Sequence, residues 1–255
     1  MELNRRQILA AAALLPALGA AAEPEFDVPY VPTPLELVER MLDLAQIAPS
    51  DYLIDLGCGD GRIAIAAARR GARALGVDID PARIAQAQLA AQLAGLETRA
   101  RFRRQDLFRT PIHEASVIAL YLLPRINLAL RPRLLTELRP GARIVSHAFD
   151  MGDWRADAEE RHDDRRIMLW IVPAVAGGRW GLTDADGQAF TLELEQIFQD
   201  VTGTMTGAGQ ALSLRDIALR GTALRFTAGE RLYAGIIEDA TITGTDTAWR
   251  ATRIA

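Results

Sequence analysis

Residues 55–61 read Asp-Leu-Gly-Cys-Gly-Asp-Gly, between an apolar run at 52–56 and a helix-forming stretch from Ile63 onward. A strand that ends in alternating glycines and passes at once into a helix is a turn at the carboxyl edge of an α/β sheet. Glycine lets the backbone there adopt conformations, and approach a ligand at distances, that a Cβ forbids. The flanking pattern extends this reading. Short strands are predicted at 52–56, 74–78, 99–103, 116–121 and 142–149, of which 52–56 and 116–121 are apolar runs. Helices are predicted at 63–70, stopped by Gly71; from Asp80-Pro81 to Ala94, stopped by Gly95; and at 125–138, stopped by Pro140-Gly141. Asp80 has the side chain of an N-cap and Pro81 the fixed φ of a first helical residue. Apolar runs as parallel strands, joined by crossover helices, predict an open, doubly wound, mostly parallel α/β sheet.

Upstream, residues 23–34 hold four prolines in twelve positions and should be extended. Thr33 is expected to cap the next helix, with Pro34 as its first residue. Before that, residues 1–22 have the pattern of an export signal or anchor. Arg5-Arg6 is followed by an apolar stretch at 8–18 and by Ala20-Ala21-Ala22. Asn4-Arg5-Arg6-Gln7 resembles a twin-arginine leader, which carries folded proteins. The expectation is an exported or periplasmic protein; the alternative is a cytoplasmic or membrane-associated chain that keeps its leader. Downstream, residues 151–166 are charged and read as loop, and 167–172 as a closing edge strand. From about Val175 short alternating runs are punctuated by Asp186-Gly187, Gly207-Ala208-Gly209, Gly221, Gly229 and Gly244. They predict a small antiparallel barrel or sandwich packed on the sheet. The expected divisions are 1–22, 23–174 and 175–255.

Composition narrows the chemistry. The single cysteine, Cys58, excludes a disulfide scaffold, and the distant His113, His147 and His162 have no metal-ligand spacing. A net charge of −4 excludes a generally cationic nucleic-acid binder. The local run Arg99, Arg101, Arg103 and Arg104 lacks interleaved aromatics and reads as a solvated face. All 29 basic residues are arginine. The plain reading is nucleotide bias; the sharper one is an enzyme acting on lysine that spares itself.

The glycine spacing separates cofactors. A dinucleotide fingerprint is Gly-x-Gly-x-x-Gly, whereas here glycines occupy 57, 59 and 61 and Arg fills 62. Asp55 and Asp60 in the same loop would repel a pyrophosphate, but a carboxylate there can receive an ammonium group. Asp78 ends the second strand, where an acidic side chain accepts ribose hydroxyls. Asp106, just past the third strand, can accept the exocyclic amine of an adenine. An amino-acid end, a ribose and an adenine, served by three successive strand ends, describe S-adenosyl-L-methionine.

These residues, with Val77-Asp78-Ile79-Asp80-Pro81 and Gln105-Asp106-Leu107-Phe108, resemble the class I S-adenosylmethionine-dependent methyltransferases over about residues 30–173. The resemblance implies a Rossmann-like methyltransferase sheet. Tyr30-Val31-Pro32-Thr33-Pro34, Tyr121-Leu122-Leu123-Pro124 and Arg143-Ile144-Val145-Ser146-His147 look closer to prokaryotic relatives of the ATP-synthase c-subunit lysine methyltransferases. That implies N-methylation of a protein lysine, with cofactor contacts from Tyr30, Thr33, Asp55, Gly57, Cys58, Gly59, Gly61, Asp78, Ile79, Asp106 and Leu107. Tyr121 falls where many N-methyltransferases of this class carry Asn-Pro-Pro-Tyr, but no Asn or Asp precedes it, which argues against a planar amide or adenine acceptor. Tyr121 would orient an amine, and His147 or Asp150 could take a proton; each of the three could equally be a structural residue. A lysine acceptor must be neutral, which costs roughly 4–5 kcal/mol at pH 7 from a reference pKa of about 10.4. The expected partner is a membrane-protein lysine or a small molecule, with no metal and no nucleic acid. The alternatives are a small-molecule methyltransferase and an exported, non-catalytic binding protein on the same fold.

Overall fold

A computed structural model describes residues 30–254. The leader and its localisation reading lie outside these residues. The first element is helix α1 (Leu35–Leu44), whose Leu37, Val38, Met41 and Leu42 are buried. Its N-cap is Pro34, with no side-chain cap bond. Thr33 therefore does not cap the helix as expected. Its hydroxyl turns inward to the ring of His147 instead.

Five parallel strands follow: β1 (Tyr52–Leu56), β2 (Arg73–Asp78), β3 (Ala100–Arg104), β4 (Val117–Leu120) and β5 (Arg143–His147). The connecting helices are α2 (Arg62–Arg69), α3 (Pro81–Leu93) and α4 (Pro124–Glu137), with a short 3-10 turn at Leu107–Arg109. Asp80 caps α3 by accepting the Ala82 N–H, as its sequence position predicts. Helices α1 to α3 cover one face, packing Val38, Met41, Ala64, Ala67 and Ala87 on Leu53, Val117 and Ala119. Helix α4 covers the other, over Ile54, Leu56, Ile118 and Ile144.

The segment predicted as loop at 151–166 and the predicted closing edge both need correction. Strands β6 (Ala158–His162) and β7 (Arg165–Ile171) form a hairpin that extends the sheet to seven strands in the order β3-β2-β1-β4-β5-β7-β6. The edge is β6, and β7 lies inside, antiparallel to β5. Asp163 and Asp164 at the hairpin tip have φ of +45° and +60°, the pair of positive values that a tight two-residue hairpin turn requires. The charge on β6 belongs to an edge strand, where it discourages pairing with another chain. At the opposite edge, Arg101 and Arg103 on β3 are exposed while Phe102 between them is buried, which matches the solvated-face reading.

The remaining strands, β8 (Gly178–Thr183), β9 (Ala189–Ile197), β10 (Asp200–Gly207), β11 (Gln210–Arg220), β12 (Ala223–Ala228), β13 (Arg231–Glu238), β14 (Thr241–Gly244) and β15 (Arg250–Ile254), close into an antiparallel barrel. Trp180, Phe226, Tyr233 and Trp249 fill its interior. The barrel docks on the α4 face through the turn between β9 and β10. There Phe198 stacks on Trp154 at 5.9 Å, and Gln199 Nε2 donates to the Arg155 carbonyl at 2.6 Å. Among the described residues no helix is long and apolar enough to cross a membrane.

Candidate cofactor and acceptor site

The carboxyl ends of β1 to β4 open into a cavity of about 880 Å³, within the range of small-molecule sites. It sits where strand order reverses between β1 and β4, the usual ligand crevice of an open α/β sheet. The glycine loop forms its floor. Gly57, Gly59 and Gly61 have φ of +82°, +52° and +79°. Gly57 and Cys58 both donate N–H to the Val77 carbonyl at 2.9 Å, and Gly59 donates to Asp78 Oδ2 at 2.9 Å. The loop is thereby sewn to the end of β2.

Of the residues expected at the cofactor, Tyr30, Thr33, Asp55, Gly57, Cys58, Gly59, Asp78, Ile79, Asp106 and Leu107 line this cavity. Gly61 stands behind it as the N-cap of α2. A Cβ there would lie 2.6 Å from the Phe102 ring, so this glycine serves helix-on-strand packing. Asp55 is the most telling member. It is 2% exposed, and its Oδ2 has no hydrogen-bond partner. Burial, and then the charges of Asp78 and Asp60, push its pKa up to about 8. A buried carboxyl oxygen left without a donor at a cavity wall is matched by a cationic group. Asp78 spends one lone pair of each oxygen on the N–H groups of Gly59 and Asp80 and keeps acceptor capacity for hydroxyls. Asp106 caps the 3-10 turn through Oδ1, leaving Oδ2 toward Arg109 at 3.7 Å.

Several contributors take roles that the sequence did not assign to them. Asp60 holds Arg62 through Nε at 2.9 Å and Nη2 at 2.5 Å, and Arg62 Nη1 reaches the Thr33 carbonyl at 2.8 Å. Burial works against the charged Asp60, but the Arg62 pair wins and holds its carboxyl below the usual range. Arg83 lies over the Tyr30 ring at 3.6 Å. Leu122 and Ile126 supply an apolar wall. Asp60 and Arg62 offered signals, as a loop carboxylate and as the residue that breaks the dinucleotide spacing; Arg83 and Ile126 offered none.

The three residues considered for catalysis part company. Tyr121 lines the cavity. His147 is 2% exposed and stands behind Tyr121, ring centroids 3.9 Å apart, without reaching the cavity wall. Burial, reinforced by Arg165, lowers its pKa to about 4, so it is neutral at physiological pH and a weak base. Asp150 is exposed and turns toward Arg166, with its Oδ2 3.9 Å from that guanidinium. Neither sits at the cavity.

His147 also makes a stability prediction. Its folded pKa lies below the unfolded value of about 6.5, so its contribution is complete above that pH and is lost as pH falls toward 4. Urea unfolding should show about 3 kcal/mol of acid destabilisation across that window, from a shift of about 2.5 pH units. His147→Phe should flatten that part of the profile; an unchanged profile would contradict the buried neutral state.

The comparisons with known proteins agree with this geometry. A profile described as the ANTKMT methyltransferase domain matches residues 55–158. The protein-lysine N-methyltransferase of Saccharolobus islandicus is 43% identical over 151 residues, covering 57% of this chain and 94% of that protein. The mouse adenine nucleotide translocase lysine N-methyltransferase is 35% identical over 146 residues, covering 57% of this chain and 63% of that protein. Among solved structures, an RNA methyltransferase from Salinibacter ruber in complex with S-adenosyl-L-homocysteine is 47% identical with a TM-score of 0.55, covering 56% of this chain and 94% of the other.

Sheet order, glycine loop and acidic strand ends define a class I S-adenosylmethionine-dependent methyltransferase. Within that class, the chain belongs to the protein-lysine N-methyltransferase family. S-adenosyl-L-methionine is its cofactor, and the cavity fits it. The partnerless Asp55 oxygen would suit an ammonium, and Asp78 and Asp106 would have acceptor capacity for hydroxyls and an amine.

Proposed function

We propose that the chain methylates the ε-amine of a protein lysine. The observation that carries this is the make-up of the cavity. Asp55, Asp60, Asp78, Asp80 and Asp106 line it, against Arg62 and Arg83, of which Arg62 is held by Asp60. Such a mouth attracts a cationic side chain and repels a phosphodiester. At the acceptor wall Tyr121 is followed by Leu122, with no amide or carboxylate to hold a planar base. A tyrosine face instead suits an ammonium on its way in. Support also comes from the relatives, two of which are named as lysine methyltransferases.

When bound, S-adenosyl-L-methionine supplies a methyl group on a sulfonium, open to in-line attack by an amine. The chain's own task is alignment and exclusion of water. Asp55 and Asp78 would hold the amino-acid and ribose ends. Ile79, Leu107 and Phe108 would enclose the adenine, and Leu122 and Ile126 would keep the reacting end dry. Tyr121 would orient the lysine amine. No side chain at the wall is placed as a strong base, so the lysine must shed its proton before attack. The transfer rate at saturating cofactor should therefore rise about tenfold per pH unit between pH 6 and 8.

The test is transfer of labelled methyl to a cell extract, followed by separate protease and nuclease digestion. Label released by protease and found on ε-N-methyllysine supports the reading. Label confined to nuclease-sensitive material would replace it with RNA methylation, the activity named for the Salinibacter ruber structure.

A further inference from the structure

Beside the cavity, one buried polar contact joins parts of the chain that the proposed reaction uses separately. Thr33 Oγ1 and His147 Nδ1 lie 3.1 Å apart across 114 residues of sequence, and the two residues are 3% and 2% exposed. Thr33 belongs to the segment 30–34 that crosses the glycine loop. The Tyr30 ring lies so close to Gly59 that a Cβ there would meet it at 2.3 Å. The Thr33 carbonyl takes Arg62, which Asp60 of the loop holds in turn. On its other side His147 packs its ring on Tyr121 at 3.9 Å, and Phe149 flanks the same tyrosine at 6.2 Å. The backbone is bent to achieve this. Ala148, between the two rings, has φ of +67°, a conformation alanine avoids. Ser146 Oγ and Asn127 Nδ2 both donate to the Phe149 carbonyl and pin the turn.

We infer that His147 is a positioning residue: through its bond to Thr33 and its stack on Tyr121, it ties the acceptor-side ring to the segment that covers the cofactor loop. A phenylalanine would fill the same space without burying a polar ring. The imidazole adds one directional bond, and that bond ends on the segment over the cofactor. Cofactor loop, crossing segment and acceptor ring thus share one set of contacts. The functional weight of the tie rests on the proposed role of Tyr121 toward a lysine; the physical tie does not.

Two readouts separate these. The chain has four tyrosines, so 3-fluorotyrosine labelling of the full chain gives few fluorine resonances, and Tyr121→Phe assigns the one of interest. Thr33→Val removes the hydroxyl and keeps the shape and the carbonyl. It should shift the Tyr121 resonance, Thr33→Ser should restore it, and Tyr233 in the barrel should not respond. In methyl transfer to poly-L-lysine, Thr33→Val should lower kcat about 10- to 100-fold, as small misplacements at a reacting centre do. Because Thr33 also lines the cofactor cavity, cofactor Kd is the second readout, and the loss in kcat should exceed any loss in affinity. Combining it with His147→Phe should cost no more than either change alone, as expected for two partners of one bond. An unmoved Tyr121 resonance in Thr33→Val overturns the inference, whatever the acceptor. A moved resonance with unchanged kcat also overturns it, because the bond would then be structural only. A moved resonance with no transfer to poly-L-lysine by the unmodified enzyme leaves the tie standing and contradicts the lysine reading instead.

Discussion

Asp55→Asn should weaken S-adenosyl-L-methionine binding about 100-fold, or ~3 kcal/mol, the range for leaving one member of a buried charge pair without its partner. The loss should not come from unfolding. The free chain pays to keep a carboxyl in that wall, since burial and the neighbouring Asp78 and Asp60 raise its pKa to about 8. A folded-state pKa above the unfolded one costs stability increasingly as pH rises from about 4 to 8. An uncharged amide is spared that cost, so Asp55→Asn should be at least as stable as the parent at pH 8. The same shift sets a pH signature. Below pH 8 Asp55 holds a proton that must leave when an ammonium arrives, so cofactor affinity should climb by up to tenfold per pH unit from 6 to 8. It should then level off as the ligand's own α-amino group, with a reference pKa of about 8, begins to lose its proton. In Asp55→Asn the climb should vanish. A parallel climb in both proteins would show that another group titrates.

Gly59→Val should abolish measurable cofactor binding and lower the melting temperature by several degrees. Two effects act together. The residue has φ of +52°, and a Cβ would lie 2.3 Å from the Tyr30 ring. A branched side chain in a left-handed conformation costs roughly 1–2 kcal/mol, before the ring is displaced. Displacing Tyr30 also removes it from beneath Arg83 and pulls on the segment that carries Thr33. Gly95→Ala is the control. Gly95 also has positive φ, +67°, but a Cβ there meets nothing within 4 Å. It should lose about 1 kcal/mol of stability with cofactor affinity intact. Equal losses of affinity in both variants would mean that backbone strain alone, not the Tyr30 contact, governs the loop.

These residues also mark how far the sequence could be read. The glycine loop and Asp78 were legible because they end two neighbouring strands of the sheet, and the carboxylates of Asp55 and Asp60 excluded a pyrophosphate. The α/β sheet was legible because its central parallel strands, β1 and β4 above all, are largely apolar. The hairpin at 158–171 was hidden by its outer strand, whose consecutive charged residues belong to a sheet edge yet look like loop. Barrel closure was only half visible: alternation announces strands, while the pairing of β8 with β15 is set some 70 residues apart. Thr33 looked like a cap because Pro34 follows it, and only the fold shows His147 waiting 114 residues away. Asp150 shared a strand end with His147 in sequence, but the left-handed turn at Ala148 sends it to solvent. Salt bridges such as Asp60 with Arg62 depend on rotamers that no spacing encodes.

We assign the cavity at the ends of β1 to β4 as the cofactor site. Calorimetric titration of the full chain with S-adenosyl-L-homocysteine at pH 8 tests it most directly. One site per chain with micromolar or tighter affinity is expected, with loss of that heat in Gly59→Val but not in Gly95→Ala. A folded chain that gives no heat, or one whose binding survives Gly59→Val unchanged, would contradict it.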